Sequence, residues 1–167
     1  TNKEERLTSS EARGIYGFTW LTDNRIGYVK DDGGNENMHF YAVNIDGTNE
    51  MDLTPFENIQ ARIIDDLEDD QNHVIIGLNK RNAQIHDPYR VNINDGTLEM
   101  IAENPGNISG WGTDHNGKLR IATTSDGVNT SLLYRDKESE DFKTILTTDF
   151  KVSVAPLFFT FNNKSLY

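Results

Sequence analysis

Cysteine is absent from the 167 residues, which removes disulfides, thiolate metal sites and cysteine nucleophiles while leaving the redox compartment undecided. Proline is scarce, with four in the chain. No apolar run approaches the roughly 20 residues that a membrane-crossing helix needs, so no membrane is expected as a partner. Residues 1–6 are polar and lack the apolar stretch of a signal peptide. The compartment, cytoplasmic or periplasmic, stays open. Positive charge is in deficit: 16 lysines and arginines face 27 aspartates and glutamates, a formal net charge of −11. Binding a phosphate backbone requires basic surface that displaces its counterions, so no nucleic acid is expected either. Helical periodicity is missing as well. No long stretch repeats apolar residues at spacings of three and four, and β-branched and aromatic side chains dominate the apolar runs.

What the chain does have is a repeat. With 35% hydrophobic and 26% charged residues it suits a soluble globular protein, and four of its segments align. They are Asn24-Arg25-Ile26-Gly27-Tyr28-Val29, Asn72-His73-Val74-Ile75-Ile76-Gly77, Gly117-Lys118-Leu119-Arg120-Ile121-Ala122 and Asn163-Lys164-Ser165-Leu166-Tyr167. Each follows a polar turn, and the spacings between Arg25, His73, Lys118 and Lys164 are 48, 45 and 46 residues. The interior repeats too. Alternating runs from Met38 to Ile45 and from Pro88 to Ile93 each meet an Asp-Gly pair, Asp46-Gly47 and Asp95-Gly96, before a further strand. Asp-Gly between alternating runs is a strong hairpin signal, because the turn needs positive φ. The third unit runs from Thr130 to Arg135 and on to Phe142 to Leu146. The stretches 61–65 and 157–161 read as innermost strands.

Four antiparallel strands at this period are propeller blades. The expectation is an all-β, partial β-propeller of about three and a half four-stranded antiparallel blades. It is one domain over 1–167, with units at roughly 15–60, 61–108, 109–154 and a truncated 155–167. Closed propellers take about four to eight blades, so the chain reads as a piece of something longer. Its uncovered sheet surface predicts self-association, two copies completing one ring.

Side chains capable of chemistry do not gather into a recognisable site. Ser109, in Gly106-Asn107-Ile108-Ser109-Gly110, lacks the one-residue spacing between serine and glycine that a nucleophile elbow requires, and no helix follows. It reads as a residue of a loop between blades. His39, His73, His86 and His115 are scattered over three units without a close pair, so they read as surface or strand-end histidines. Two acidic clusters, Asp31-Asp32 with Glu36 and Asp65-Asp66 with Glu68-Asp69-Asp70, lack the spacing that wraps oxygen ligands around calcium. They read as solvated loop tips. Trp20 and Trp111 hold related places in their units and read as rings filling the gap between adjacent sheets. Three Asn-x-Ser/Thr triplets, at Asn107, Asn129 and Asn163, match the glycosylation pattern, a match that chance supplies in an Asn-rich chain. No residue is therefore assigned a catalytic, cofactor-binding or metal-ligating role, and no cofactor is called for.

Particular residues within the repeat carry a resemblance. The run from Asp31 through Gly33-Gly34 to Tyr41, then Val43-Asn44-Ile45-Asp46-Gly47 and Asp52-Leu53-Thr54-Pro55-Phe56, resembles the N-terminal propeller of S9 serine peptidases, the prolyl oligopeptidase and acylaminoacyl-peptidase group. Gly77-Leu78-Asn79-Lys80-Arg81, His86-Asp87-Pro88-Tyr89-Arg90-Val91 and Ala102-Glu103-Asn104-Pro105-Gly106-Asn107 are similar to the next part of the same proteins. The resemblance implies a C-terminal α/β-hydrolase domain carrying serine, aspartate and histidine, capped by a propeller that admits short peptides. The expected partners are that domain and peptide substrates passing the propeller pore. The 167 residues include no hydrolase segment, so the implied role here is a non-catalytic, gating one. A TolB-like propeller binding protein partners shares the blade features and is the alternative.

Overall fold

The computed structural model describes residues 7–8, 14–31, 33–152 and 154–167. Among them there are twelve strands and no helix: β1 (Gly17–Thr22), β2 (Arg25–Asp31), β3 (Met38–Asn44), β4 (Met51–Asp52), β5 (Ala61–Asp65), β6 (His73–Asn82), β7 (Ile85–Asn92), β8 (Leu98–Met100), β9 (Ile108–Thr113), β10 (Leu119–Ser125), β11 (Asn129–Tyr134) and β12 (Lys143–Asp149). They form three four-stranded sheets ordered β1-β2-β3-β4, β5-β6-β7-β8 and β9-β10-β11-β12. Neighbouring strands pair antiparallel throughout. Each sheet is thus a simple meander, the form of a propeller blade.

Turn chemistry sets the hairpins. Gly47 and Gly96 adopt φ of 78° and 72°, and the preceding aspartates accept from the residue two further on, Thr48 N at 2.9 Å and Thr97 N at 2.8 Å. The same device recurs at the first polar turn of the second and third sheets, where Asp70 takes Asn72 N at 2.8 Å and Asp114 takes Asn116 N at 2.9 Å.

The chain divides into two compact units, Thr1–Glu99 and Met100–Tyr167. In the first, the two leading sheets share a core of Leu21, Val29, Phe40, Ala42, Leu53 and Ile59 with Ala61, Val74, Ile76, Leu78, Tyr89, Val91 and Ile93. Alternation explains the pattern: along β3, Phe40 and Ala42 point to this core while Tyr41 between them points away. Strand β6 runs buried from Val74 to Asn79. In the second unit Ile121, Leu132 and Phe159 form a smaller core, joined by Tyr134, Val154 and Leu166.

Two local expectations change. The strand expected at 157–161 is reduced to a single bridge, Phe159 to Leu166, inside a short hairpin where Leu157 N donates to Tyr167 O at 2.8 Å and Thr160 N to Ser165 O at 2.8 Å. Strand β4 keeps only two residues, because the Phe40 amide turns to the buried hydroxyl of Thr54 at 2.8 Å in place of a backbone carbonyl.

Candidate functional site

Two cavities of similar size offer themselves, one in each unit. The cavity of the second unit, about 350 Å³, is lined by Ser109, Gly110, Trp111, Ile121, Thr123, Thr130, Val154, Ala155 and Pro156. Ser109 lies in strand β9, not in a loop between blades. Ile108 pairs with Thr124 and Gly110 with Thr123, so Ser109 is the extra residue of a β-bulge. Its hydroxyl lies 3.2 Å from Thr123 O and 3.3 Å from Thr123 Oγ1. Among the described residues no histidine or carboxylate lines this cavity. The hydrogen-bond partners of Ser109 are thus threonine oxygens, which are not bases of the kind that activates a serine nucleophile.

The cavity of the first unit, about 360 Å³, opens among the turns at one end of the two sheets and is lined by Thr22, Asn24, Arg25, Asn44, Asn49, Met51, Ile93 and Asn94. It is mostly carboxamide and hydroxyl, with one guanidinium.

The histidines stay apart, each tied to a partner of its own. His39 Nδ1 lies 2.7 Å from Asp52 Oδ2, and His73 Nδ1 lies 2.9 Å from Asp70 Oδ2. His115 Nε2 meets Phe159 O at 2.8 Å while its ring stacks on Phe161. His86 is half-buried in β7; burial, followed by the nearby Arg62 charge, pushes its pKa down. Among the described residues no three His, Asp or Glu side chains converge in a way that would hold a metal ion.

The acidic clusters are taken up by local structure. Asp31 is buried at the end of β2, with Tyr16 OH at 3.5 Å from its Oδ2. Asp32 lies outside the described residues, and Glu36 is exposed with φ of 62°. Asp65 accepts Leu67 N at 2.8 Å, and Asp66 accepts the Thr19 hydroxyl at 2.6 Å. Burial works against the charge on Asp70, but the amide of Asn72 and the ring of His73 hold its carboxyl below the usual range. The tryptophans part company. Trp111 is half-buried, its ring 5.8 Å from Phe142. Trp20 is 56% exposed, because the alternation of β1 turns Leu21 to the core and Trp20 to the opposite face.

The residues that carried the resemblance turn out to hold the sheets together. In Asp52-Leu53-Thr54-Pro55-Phe56, Asp52 takes His39 and the Thr54 amide, Leu53 and Thr54 are fully buried, and Phe56 lies under Lys80 at 4.0 Å. In His86-Asp87-Pro88-Tyr89-Arg90, the fully buried Asp87 carboxylate receives a two-pronged contact from Arg81, at 2.9 and 3.0 Å. The third sheet has an arginine pair that the sequence pattern does not single out. Arg120 reaches Asp114 at 3.0 Å, Asn163 O at 2.9 Å and the Tyr134 hydroxyl, while Arg135 reaches Leu119 O and Glu138 O, each at 2.8 Å. Nothing in the composition announces it; an arginine in a buried strand position was the available signal.

No family model matches the chain. It is 32% identical over 120 residues to dipeptidyl aminopeptidase BIII of Pseudoxanthomonas mexicana, a match covering 71% of this chain and 17% of that protein. The chain thus spans a small part of the relative's length. Its fold is similar to that of TolB from Acinetobacter baumannii, with a TM-score of 0.52 at 13% identity over 80% of this chain and 32% of TolB. At that identity the likeness concerns architecture alone.

Proposed function

This chain is a β-propeller segment of the S9 serine peptidase type, and from that premise we propose that it serves as a non-catalytic lid over a peptidase active site carried elsewhere in a longer protein. The likeness to a dipeptidyl aminopeptidase over most of the chain is the observation that carries the reading. The chemistry within the segment agrees with it: the one serine in an elbow-like setting sits in a bulge against Thr123, with no histidine or carboxylate among the described residues lining its cavity.

A lid of this kind acts by exclusion. Rigid meanders held by pairs such as Arg81 with the buried Asp87 carboxylate restrict entry to short peptides and keep bulk water from the reacting bond. The partner is an α/β-hydrolase domain that supplies serine, histidine and aspartate.

The test has two arms. The 167-residue chain, assayed on aminopeptidase substrates with a chromogenic leaving group, is expected to show no turnover, and Ser109→Ala to change nothing. The longer protein that contains this segment is expected to cleave dipeptidyl substrates, and to lose its discrimination against large proteins when the segment is deleted. Turnover by the isolated chain that disappears in Ser109→Ala would overturn the proposal.

A further inference from the structure

Arg25 stands out among the charged groups of the first unit. It begins β2 and is 9% exposed. Its Nη1 donates to Asn44 Oδ1 at 2.8 Å, across the register pair Arg25–Asn44. Its Nε is sealed from solvent and has no acceptor. No carboxylate among the described residues comes within ion-pair distance of it, and burial alone lowers its pKa. A guanidinium does not shed its proton, so the charge is kept in a poorly solvated place at a cost that an anion would offset.

The repeat supplies an internal comparison. His73 occupies the same position in the second sheet, opposite Asn92 as Arg25 is opposite Asn44, and it pairs with Asp70. Lys118, at the corresponding place in the third, reaches Glu138 at 3.7 Å. Lys164, in the closing hairpin, is exposed to water. Of these positions, the one in the first sheet holds a buried cation with no carboxylate beside it among the described residues, and it lines the cavity of about 360 Å³.

We propose that this cavity is a carboxylate-binding site, in which Arg25 receives the carboxylate and the asparagines around it fix its orientation. Planar forks of N–H donors match carboxylate geometry, and the carboxamides of Asn24 and Asn94 add neutral donors at the rim. Met51 and Ile93 provide an apolar wall for the hydrocarbon part of the ligand. A cavity of this volume accepts a small organic molecule. A phosphate dianion fits less well, because Arg25 is the single cation among the lining residues and matches one negative charge. The ligand is a free small carboxylic acid or the C-terminus of a short peptide, and the site stands independently of the lid reading.

The test is a titration of the 15N-labelled chain with N-acetylalanine, N-acetylalanine amide, acetate and inorganic phosphate, following the backbone amide resonance of Asn94, which lines the cavity and is kept in every variant. N-acetylalanine is expected to shift that resonance saturably, with the amide and phosphate at least tenfold weaker. Acetate matching N-acetylalanine assigns the site to free acids; N-acetylalanine binding more tightly assigns it to peptide C-termini. Arg25→Gln is expected to abolish the response. Since that change also removes the bond to Asn44, Asn24→Asp is the companion variant. It adds a negative charge at the rim without touching the ladder and is expected to weaken binding about tenfold. Equal responses to acid and amide, a preference for phosphate, no shift at saturating acid, or full affinity in both variants would each sink the proposal.

Discussion

Single side chains in this protein are settled by what they find within hydrogen-bond reach, and Asp126 is the clearest case. It caps the turn between β10 and β11, accepting the amides of Asn129 at 2.6 Å and Val128 at 2.9 Å and the Asn129 carboxamide at 2.9 Å. Those donors hold its pKa down at about 2, because each hydrogen bond favours the ionised form. A depressed carboxylate stabilises the fold fully above its unfolded value, and that contribution is lost as pH falls towards about 2. We expect its carboxyl carbon, followed by NMR, to titrate near that value, and Asp126→Asn to remove the corresponding acid-side change in stability. A midpoint in the ordinary aspartate range would contradict the hydrogen-bonded turn. Arg25 is the opposite case, a charge whose partners within the protein are too few. Its position was legible from the repeat; its lack of a carboxylate was not, since that depends on what the turns bring beside it.

Strands add a constraint that no single residue shows. Gly27 sits in the middle of β2 where Phe40 and Leu21 from the flanking strands close over it. A Cβ there would stand 2.6 Å from Phe40 Cζ and 3.0 Å from a Leu21 methyl. Gly27→Ala is therefore expected to overpack the first core and destabilise the chain by about 1–3 kcal/mol, measured by urea unfolding. Pairing it with Phe40→Leu should recover part of the loss, and a neutral Gly27→Ala would show that the ring swings aside freely. The Asn24 and Asn72 turns, the Asp-Gly hairpins and the alternating runs were all readable in the sequence, because turn residues and period-two patterning act locally. Ser109 was misplaced for the reverse reason. A bulge arises from the pairing of β9 with β10, and the local sequence around Ser109 has no turn chemistry or periodicity that marks one.

On the scale of the whole molecule, the outer face of β1 matters most. Tyr16, just before the strand, and Phe18 and Trp20 within it alternate at 55, 70 and 56% exposure, an aromatic stripe of a kind that soluble monomers seldom leave bare. We expect the isolated chain to self-associate through this face. Sedimentation equilibrium should show a concentration-dependent mass, with Phe18→Ser and Trp20→Ser together shifting it to the monomer; a monomer at every attainable concentration would refute this. The repeat alone determined the all-β class and the four-stranded unit, since spacing, turns and alternation are written residue by residue. The peptidase likeness rests on the resemblance carried by particular segments such as Asp52 to Phe56 and His86 to Arg90. Only the tertiary structure decided which tryptophan is half-buried, that the Ser109 hydroxyl meets Thr123, and that Arg25 lacks the carboxylate that His73 and Lys118 have. Those outcomes depend on contacts between residues distant in the chain, and a linear pattern does not specify which side chains will meet.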